Sequence, residues 1–287
     1  MATTVDSTTV DMTQDPAEAL AAAADFLSGD PVRHNLVLTL LHGRIRHPEP
    51  GRYWTARRGG RVVATVMQSP LDFMATMTPM ADDVVPDVVD PIAAGGIALP
   101  GAHGEAATVA RFAGCWTERT RTAARPVLGQ RLYELAGPPV HPGVGGRLRQ
   151  AGDDDAEVAT EWFTAFKEET GDGGDDIAGV VARRLRAGQL WLWDDGGPRA
   201  LAGVSEPVAG VVRIGPVYTP PDRRGRGYGS AVTAGVAAFS REAGLRCCLY
   251  TDLGNPTSNS IYRAIGFAAV SEALRYAFEP ATPAIER

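Results

Sequence analysis

The stretch that decides the fold of this chain is Arg213–Ser230, with the sequence RIGPVYTPPDRRGRGYGS. Ile214 and Val217 belong to a short run with strand character, although its alternation is imperfect. The prolines at 220–221 end that strand, because proline cannot donate to a strand ladder. Beyond this stretch the chain is rich in alanine and valine at helical spacing. The sequence therefore predicts a strand, a short rigid turn and the glycine-rich start of a helix.

The glycine-rich part of this stretch has the composition of an anion site. Its glycines let the backbone approach a ligand closely, and the first N–H groups of a helix have no partner within the helix. These donors, the positive end of the helix dipole and the guanidinium groups of Arg223, Arg224 and Arg226 favour a bound pyrophosphate. A run of arginine and glycine can also be a solvated turn. The strand before it and the helix after it favour the anion site.

Two motifs give this chain its resemblance to a known family. Arg224–Gly229, RGRGYG, fits the R/Q-x-x-G-x-G/A signature of the GNAT superfamily of N-acetyltransferases. Leu249–Phe267, LYTDLGNPTSNSIYRAIGF, resembles the strand, the asparagine-led helix, the tyrosine and the Gly-Phe ending that follow in that family. The resemblance covers roughly Arg147–Phe278. It implies the GNAT fold, an α/β (three-layer α+β) arrangement with a mixed central sheet and helices on both faces.

The resemblance also implies a cosubstrate and its binding residues. Acetyl-CoA would be the acyl donor, with a primary amine as the acceptor and no metal. The pyrophosphate would lie on the glycine loop, and the pantetheine arm would pair with the edge of the preceding strand as another strand would. Backbone N–H groups would polarise the thioester carbonyl. The expected cofactor-binding residues are Val217, Tyr218, Thr219, Arg224, Gly225, Arg226, Gly227, Tyr228, Gly229, Ser230 and Asn255.

Tyr262 is the expected general acid because of its place in the second motif. The ordinary tyrosine pKa of about 10 lies above that of a thiol, so Tyr262 could protonate a departing thiolate. The alternative is an ordinary half-buried helix tyrosine. The general base is left open among four carboxylates and an ordered water, with Glu169 taken as the candidate catalytic carboxylate. The four are Glu168, Glu169, Glu206 and Asp252.

A weak internal repeat suggests two tandem halves. Residues 53–60 align with residues 190–197, and residues 110–115 align with residues 262–267. The first half lacks the glycine loop, has Ala110 at the position of Tyr262 and has His103 at the position of Asn255. It is therefore interpreted as a degenerate GNAT-like copy that cannot hold the cofactor. The expected division is a disordered tail (1–15), the degenerate domain (16–137), a linker (138–145) and the catalytic domain (146–287).

Composition narrows the function classes. With 287 residues, 44% of them apolar, the chain can build one large or two ordinary cores. The net charge of −6 argues against a general nucleic-acid binder. The three cysteines suit a reducing compartment. No apolar run approaches the ~20 residues needed to span a bilayer, and the first residues do not have the pattern of a signal peptide. We expect a cytoplasmic protein without membrane or nucleic-acid partners, as a monomer or homodimer.

Two other functions are weighed against the acetyltransferase. A non-catalytic acyl-CoA sensor or scaffold would keep the phosphate loop but lose the acid, and Tyr262 and Asn255 argue against that loss. A nucleotide-binding α/β enzyme is less favoured because the glycines are spaced G-x-G-x-G rather than G-x-G-x-x-G. The acceptor, its acyl-chain preference and the role of the first half are not determined by the sequence.

Overall fold

The structure is a computed structural model that describes residues 7–171 and 176–280. Two compact units divide the chain. Among the described residues, the first consists of 7–132, 252–254 and 270–280, and the second of 133–171, 176–251 and 255–269. Because the last strand of each half crosses these limits, the units do not coincide with the two expected domain ranges. Whether those ranges fold as separate domains stays a prediction.

Both halves of the chain have the same order of elements. The first half consists of β1 (Thr8–Thr13), α1 (Pro16–Gly29), α2 (Asn35–Arg46), β2 (Arg52–Arg58), β3 (Arg61–Gln68), β4 (Ala75–Met77), α3 (Val85–Ala94), β5 (Gly101–Glu105), α4 (Ala106–Thr120) and β6 (Thr122–Leu135). The second consists of β7 (Arg147–Gln150), α5 (Ala156–Thr170), α6 (Ile177–Arg186), β8 (Leu190–Asp194), β9 (Pro198–Val204), β10 (Val211–Tyr218), α7 (Tyr228–Glu242), β11 (Arg246–Asp252), α8 (Pro256–Ile265) and β12 (Phe267–Pro280). The tandem arrangement expected from the repeat is confirmed at the level of elements.

At the level of residues, the second part of the repeat is wrong. Gly266 ends α8 with a left-handed φ of 113°, whereas the aligned Gly114 lies inside α4, which continues to Thr120. His103 lies within β5, and the residue that caps α4 is Glu105. The two helices differ in length, so an ungapped alignment of their ends pairs residues with different structural roles.

The expected disordered tail is wrong for the residues that form β1. Thr8–Thr13 pairs antiparallel with β2, from Thr8 beside Arg58 to Thr13 beside Tyr53. Val10 packs against the apolar core of the first unit. Residues 1–6 lie outside the described part of the chain. The polar, threonine-rich composition hid a strand because only alternate side chains of an edge strand need to be apolar.

The first unit orders its strands β1-β2-β3-β4-β5-β12. Strands β4 and β5 are parallel, and the C-terminal part of β12 lies antiparallel beside β5. Helices α3 and α4 bury large side chains against this sheet, among them Ile92, Phe112 and Trp116. The connection from β4 to α3, residues 78–84, contains no glycine. The glycine loop of the second half therefore has no counterpart in the first half.

In the second unit the order is β7-β8-β9-β10-β11, with β10 and β11 parallel. Alternate residues of each strand enter different cores, as the period of two requires. On β8, Trp191 and Trp193 pack with α7, whereas Leu190 and Leu192 pack with α5 and α6. Helix α8 shares the α7 side through Ile265. This unit therefore has helices on both faces of a mixed sheet, as the sequence predicted.

Candidate active site

The parallel pairing of β10 and β11 stops before either strand ends. It runs from Val211 beside Arg246 to Ile214 beside Leu249. Strand β10 continues to Tyr218 while paired on its other side to β9, with a register shift between Ile214 and Val217. Strand β11 also continues to residue 252. Residues 215–218 of β10 therefore present a backbone edge that is not part of the β10–β11 ladder.

The glycine loop begins directly after this edge and requires its glycines. Gly225 has φ of 75° and Gly227 has φ of 82°, both in the left-handed region where a Cβ is disfavoured. A Cβ on Gly227 would also lie 2.8 Å from Cγ1 of Val144. A Cβ on Gly229 would lie 3.1 Å from the Thr219 hydroxyl. Space and backbone conformation together explain why glycine alternates with arginine here.

Helix α7 starts at Tyr228 with free backbone donors. Gly227 is its N-cap and supplies no side-chain hydrogen bond. The first N–H bonded into the helix is that of Ala231, which donates to the Gly227 carbonyl at 2.9 Å. In the part of the chain that the structure describes, the N–H groups of Tyr228, Gly229 and Ser230 have no hydrogen-bond partner. These are donors that an anion at the helix N-terminus would satisfy.

The three arginines of the loop have different surroundings. Arg223 donates to the Pro198 carbonyl and pairs with Asp222. Arg224 is tied to Glu169. Arg226 is exposed and has no ion pair with any residue that the structure describes. Of these three arginines, Arg226 is therefore available as it stands, whereas Arg223 and Arg224 already have partners.

Glu169 lies at the centre of a small polar cluster. Its carboxylate accepts two hydrogen bonds from Nη2 of Arg224, at 2.7 and 2.8 Å, and one from the Tyr218 hydroxyl at 3.3 Å. Arg224 also donates from Nε to the Thr219 carbonyl at 2.9 Å, and its guanidinium lies 5.6 Å from the centre of the Tyr218 ring. Burial and the nearby Glu169 carboxylate raise the pKa of Tyr218. The structure thus brings four of the expected site residues together, but Glu169 is occupied by a cation.

Tyr262 lies on α8 between two aromatic rings, those of Tyr133 (6.4 Å) and Phe267 (6.1 Å). Burial raises the pKa of Tyr262 to about 12. Its hydroxyl makes no hydrogen bond within the described ranges. The Tyr133 hydroxyl, by contrast, donates to Oδ1 of Asn259 at 3.0 Å. The Tyr262 hydroxyl is therefore protonated at neutral pH and available to donate a hydrogen bond to a ligand.

Asn255 caps α8, as expected. Its side-chain oxygen accepts from the Ser258 N–H at 2.9 Å, and its carbonyl accepts from Nδ2 of Asn259 at 2.8 Å. Pro256 occupies the first helical position, where its missing N–H costs nothing. The cap leaves the side-chain NH₂ group of Asn255 available to a ligand, and a pantetheine contact through this residue stays a prediction.

The other candidate bases lie in varied settings. Glu168 is exposed at the end of α5, and Glu206 is half-buried after β9. Asp252 is exposed and accepts from the Gly254 N–H at 2.7 Å. In the described part of the chain no group of three or more His, Cys, Asp or Glu side chains is placed to bind a metal ion. Among the described helices, none combines the length and apolarity needed to cross a bilayer.

Two side chains of this site escaped the sequence analysis. Asp195, in the β8–β9 turn, accepts from the Tyr228 hydroxyl at 2.8 Å, and this hydrogen bond raises the pKa of that tyrosine. Arg184 of α6 donates from Nη1 to the Gly215 carbonyl at 3.0 Å, at the point where β10 leaves β11. A signal for Arg184 exists in the sequence, because it follows Val180 and Val181 at helical spacing on the apolar face.

Comparisons with known proteins agree with this geometry. Residues 198–276 match the family model FR47-like protein. A GCN5-related N-acetyltransferase from Sphaerobacter thermophilus is similar in structure, with a TM-score of 0.61 and 18% identity over 97% of this chain and 98% of that one. A GNAT-family acetyltransferase from Colwellia psychrerythraea gives 0.59 and 11%, over 94% and 99%. A tandem GNAT protein from the clavulanic acid biosynthesis pathway gives 0.54 and 12%, over 96% and 100%.

No curated protein sequence matches this chain. The solved structures nevertheless show the fold, because each of these three matches covers both halves of the chain. The chain has the GNAT fold in two tandem halves, as the sequence motifs indicated. Its second half also resembles the GNAT-related FR47-like proteins.

Proposed function

We propose that this protein is an acetyl-CoA-dependent N-acetyltransferase whose second half binds the cofactor and transfers the acetyl group to an amine. One observation carries this proposal. The edge of β10 that is released from β11 after Ile214 leads directly to the unsatisfied N–H groups of Tyr228, Gly229 and Ser230. An extended arm ending in a pyrophosphate requires this sequence of a strand edge followed by an anion site.

The residues fit acetyl-CoA in charge and shape. The pyrophosphate would accept from the backbone of residues 225–230 and from Arg226, and Arg224 would join after leaving Glu169. The pantetheine amides would pair along Val217–Thr219. Bound there, acetyl-CoA supplies an activated acyl group as a thioester, so the protein needs no covalent nucleophile of its own.

The transfer then requires two proton movements. The amine nitrogen forms a bond to the acyl carbon as the carbon–sulfur bond breaks, and the sulfur keeps the bonding electrons. The nitrogen loses a proton to a base or to water, and the Tyr262 hydroxyl donates to the sulfur. The raised pKa of Tyr262 keeps it protonated at neutral pH but makes it a weak acid. A strong hydrogen bond to the sulfur, completed by solvent, is therefore its expected contribution.

Glu169 is not available as a base in this arrangement, because both of its carboxylate oxygens accept hydrogen bonds from Arg224. It becomes available only if phosphate takes over Arg224. The same pairing would suit the second candidate function, a non-catalytic acyl-CoA-binding protein, in which cofactor binding is sensed through release of Glu169. Turnover separates these two functions.

The test is calorimetric titration of acetyl-CoA and CoA into the purified chain, followed by an amine screen that measures released thiol. Gly227→Glu is the control, because it fills the loop and places a negative charge there. Micromolar binding that this variant abolishes, followed by turnover, is the expected result. Binding without turnover of any amine would favour the sensor, and the absence of binding to wild type would overturn both functions.

A further inference from the structure

Arg184 is a deeply placed cation without a carboxylate partner among the described residues. Its guanidinium makes one hydrogen bond, to the Gly215 carbonyl, and lies 5.7 Å from the centre of the Phe163 ring. The charged group that acts on it most strongly is another arginine, Arg213 of β10. Burial and this like charge lower the pKa of Arg184 to about 10, which still leaves it ionised at neutral pH.

A charge in such a position is costly unless something compensates it. A guanidinium has five N–H donors, and the Gly215 carbonyl takes only one or two of them. The remaining Arg184 nitrogens are not fully buried, because none of them is among the fully buried polar side-chain atoms that lack a hydrogen-bond partner. These nitrogens are therefore exposed to solvent at a site that is otherwise largely enclosed by protein.

The surrounding residues hold this guanidinium in place. A Cβ on Gly203 would lie 2.4 Å from Nη1 of Arg184 and 2.8 Å from the Gly215 carbonyl oxygen. Gly203 on β9 thus makes room for the side chain, and Phe163 on α5 supports it from another element. Arg184 is therefore held beside the register shift in β10 by contacts with β9, β10 and α5, whereas a solvated surface arginine has few such contacts.

Gly215, which accepts the hydrogen bond from Arg184, lies close to the strand edge that is expected to bind the pantetheine arm. It follows Ile214, the last residue of β10 paired to β11, and precedes the Val217–Thr219 edge by two residues. At about 3.3 Å per strand residue, an anion on Arg184 would lie within the length of a small molecule from that edge. Under the proposed function, the reacting acyl group lies beside residues 215–218, where β10 is no longer paired to β11.

We propose that Arg184 binds a compact anionic group of the acceptor, so that the substrate is an amine that also carries a carboxylate or a phosphate. This inference rests on the proposed function and specifies its substrate class. The planar fork of a guanidinium matches the oxygens of either anion. The charge that acts most strongly on Arg184 is that of Arg213, which is also positive.

The test uses matched pairs of acceptors that differ only in the anion. Phenylalanine is compared with phenethylamine, lysine with cadaverine, β-alanine with ethylamine, and O-phosphoethanolamine with ethanolamine. The ratio of kcat/KM within each pair is measured by thiol release at saturating acetyl-CoA. We expect at least one anionic member to exceed its partner more than tenfold, and which pair responds distinguishes carboxylate from phosphate.

Variants of Arg184 test whether this residue causes the preference for the anionic acceptor. Arg184→Met keeps the length and the apolar contact with Phe163 but removes the charge, and it should reduce that ratio to near one. Arg184→Lys should restore part of it. Arg183→Met is the matched control, because Arg183 is the exposed neighbour on α6 and pairs with Asp176. Its ratio should equal that of wild type.

A binding measurement keeps the inference separate from turnover. The N-acetylated forms of the same pairs are titrated into wild type and Arg184→Met by protein-observed NMR, without acetyl-CoA. Binding of an anionic form that Arg184→Met loses supports the proposal even if no amine reacts. Equal ratios in both proteins, or binding of no anionic form to wild type, overturns it. Failure of acetyl-CoA itself to bind would instead overturn the proposed function.

Discussion

Glu169 and Arg224 are joined by two hydrogen bonds of 2.7 and 2.8 Å, which connect the last turn of α5 to the glycine loop. From the sequence alone these two residues were expected to have separate roles, one as a catalytic carboxylate and one as a phosphate ligand. The structure makes each the partner of the other. Glu169 can act as a base only when the pair opens, whereas Nη1 of Arg224 is not used in the pair.

Opening this pair should cost little. Both side chains are almost half exposed, at 46% and 47%, and such pairs contribute about 0–1 kcal/mol. Glu169→Gln removes the competition for Arg224, so we expect acetyl-CoA to bind about two- to fivefold more tightly in calorimetric titrations. A weaker affinity in this variant would show that Glu169 helps to position Arg224 for the phosphates rather than competing with them.

Glu168→Gln is the control for that experiment. Glu168 is the adjacent exposed residue and does not contact Arg224 in the structure. It removes the same charge from the same helix end, so a general electrostatic effect on an anionic ligand would appear equally in both variants. Only the difference between them reports the pairing.

The glycine loop should lose its ligand when Gly227 gains a side chain. Gly227→Ala adds a Cβ at a φ of 82° and 2.8 Å from Val144, so the loop must move. Gly225→Ala meets only the backbone strain, because open space surrounds its Cβ. We expect acetyl-CoA affinity to fall more than tenfold in Gly227→Ala and less in Gly225→Ala.

Gly60→Ala controls for the strain itself. Gly60 has φ of 76° and open space around it, and it lies in the β2–β3 turn of the first half. Positive φ at a residue with a Cβ costs roughly 1–2 kcal/mol, so this variant should be less stable. Its affinity for acetyl-CoA should not change. A comparable loss of affinity in Gly60→Ala would mean that Gly227 acts through stability alone.

Tyr262→Phe should lower kcat by about 10²-fold with little change in the acetyl-CoA affinity, if the hydroxyl acts on the departing sulfur. Since its pKa is about 12, we also expect no alkaline loss of activity from Tyr262 below about pH 10. The measurement is a pH profile of kcat for both proteins. An unchanged kcat in the variant would assign Tyr262 to packing between Tyr133 and Phe267.

Tyr133→Phe is the comparison for Tyr262. It removes a hydroxyl from the neighbouring ring, but this one is bonded to Asn259. We expect a loss of about 1 kcal/mol in unfolding free energy, with kcat much less affected than in Tyr262→Phe. The two variants together separate loss of a structural hydrogen bond from loss of a free proton donor.

Arg149 should stabilise the second unit in a pH-dependent way. It donates to both oxygens of Asp155 and to Asp194, and these hydrogen bonds hold the pKa of both carboxyl groups below their usual range. A carboxyl with a lowered pKa in the folded state adds stability above its unfolded pKa of about 3.9. That stability is lost as the pH falls through the folded value.

We therefore expect Arg149→Met to lower the unfolding free energy by roughly 2 kcal/mol at pH 7. The difference from wild type should shrink below about pH 4. Urea unfolding at both pH values measures this, with Arg147→Met, an exposed residue on the same strand, as the control. A difference that stays constant down to pH 3 would mean that Arg149 stabilises through packing rather than charge.

Features that depend on neighbouring residues could be predicted from the sequence, whereas features that depend on distant segments could not. The Arg213–Ser230 stretch fixed a strand, a turn and a helix start, because proline and glycine act on their own backbone. Asn255 and Pro256 likewise specified a helix cap that the structure contains. The strand of Thr8–Thr13 was missed because its order depends on pairing with β2, far along the chain.

Partnerships between side chains were decided by the tertiary structure alone. The sequence named Glu169 and Arg224 but could not show that they pair, since 55 positions separate them. Arg184 was visible only as an arginine in an apolar helix face. The structure shows that Arg184 donates to the Gly215 carbonyl beside the register shift of β10, in space that the absence of a side chain at Gly203 leaves open. Backbone propensities are encoded locally, whereas the partner and the solvation of a charge are set by packing between distant segments.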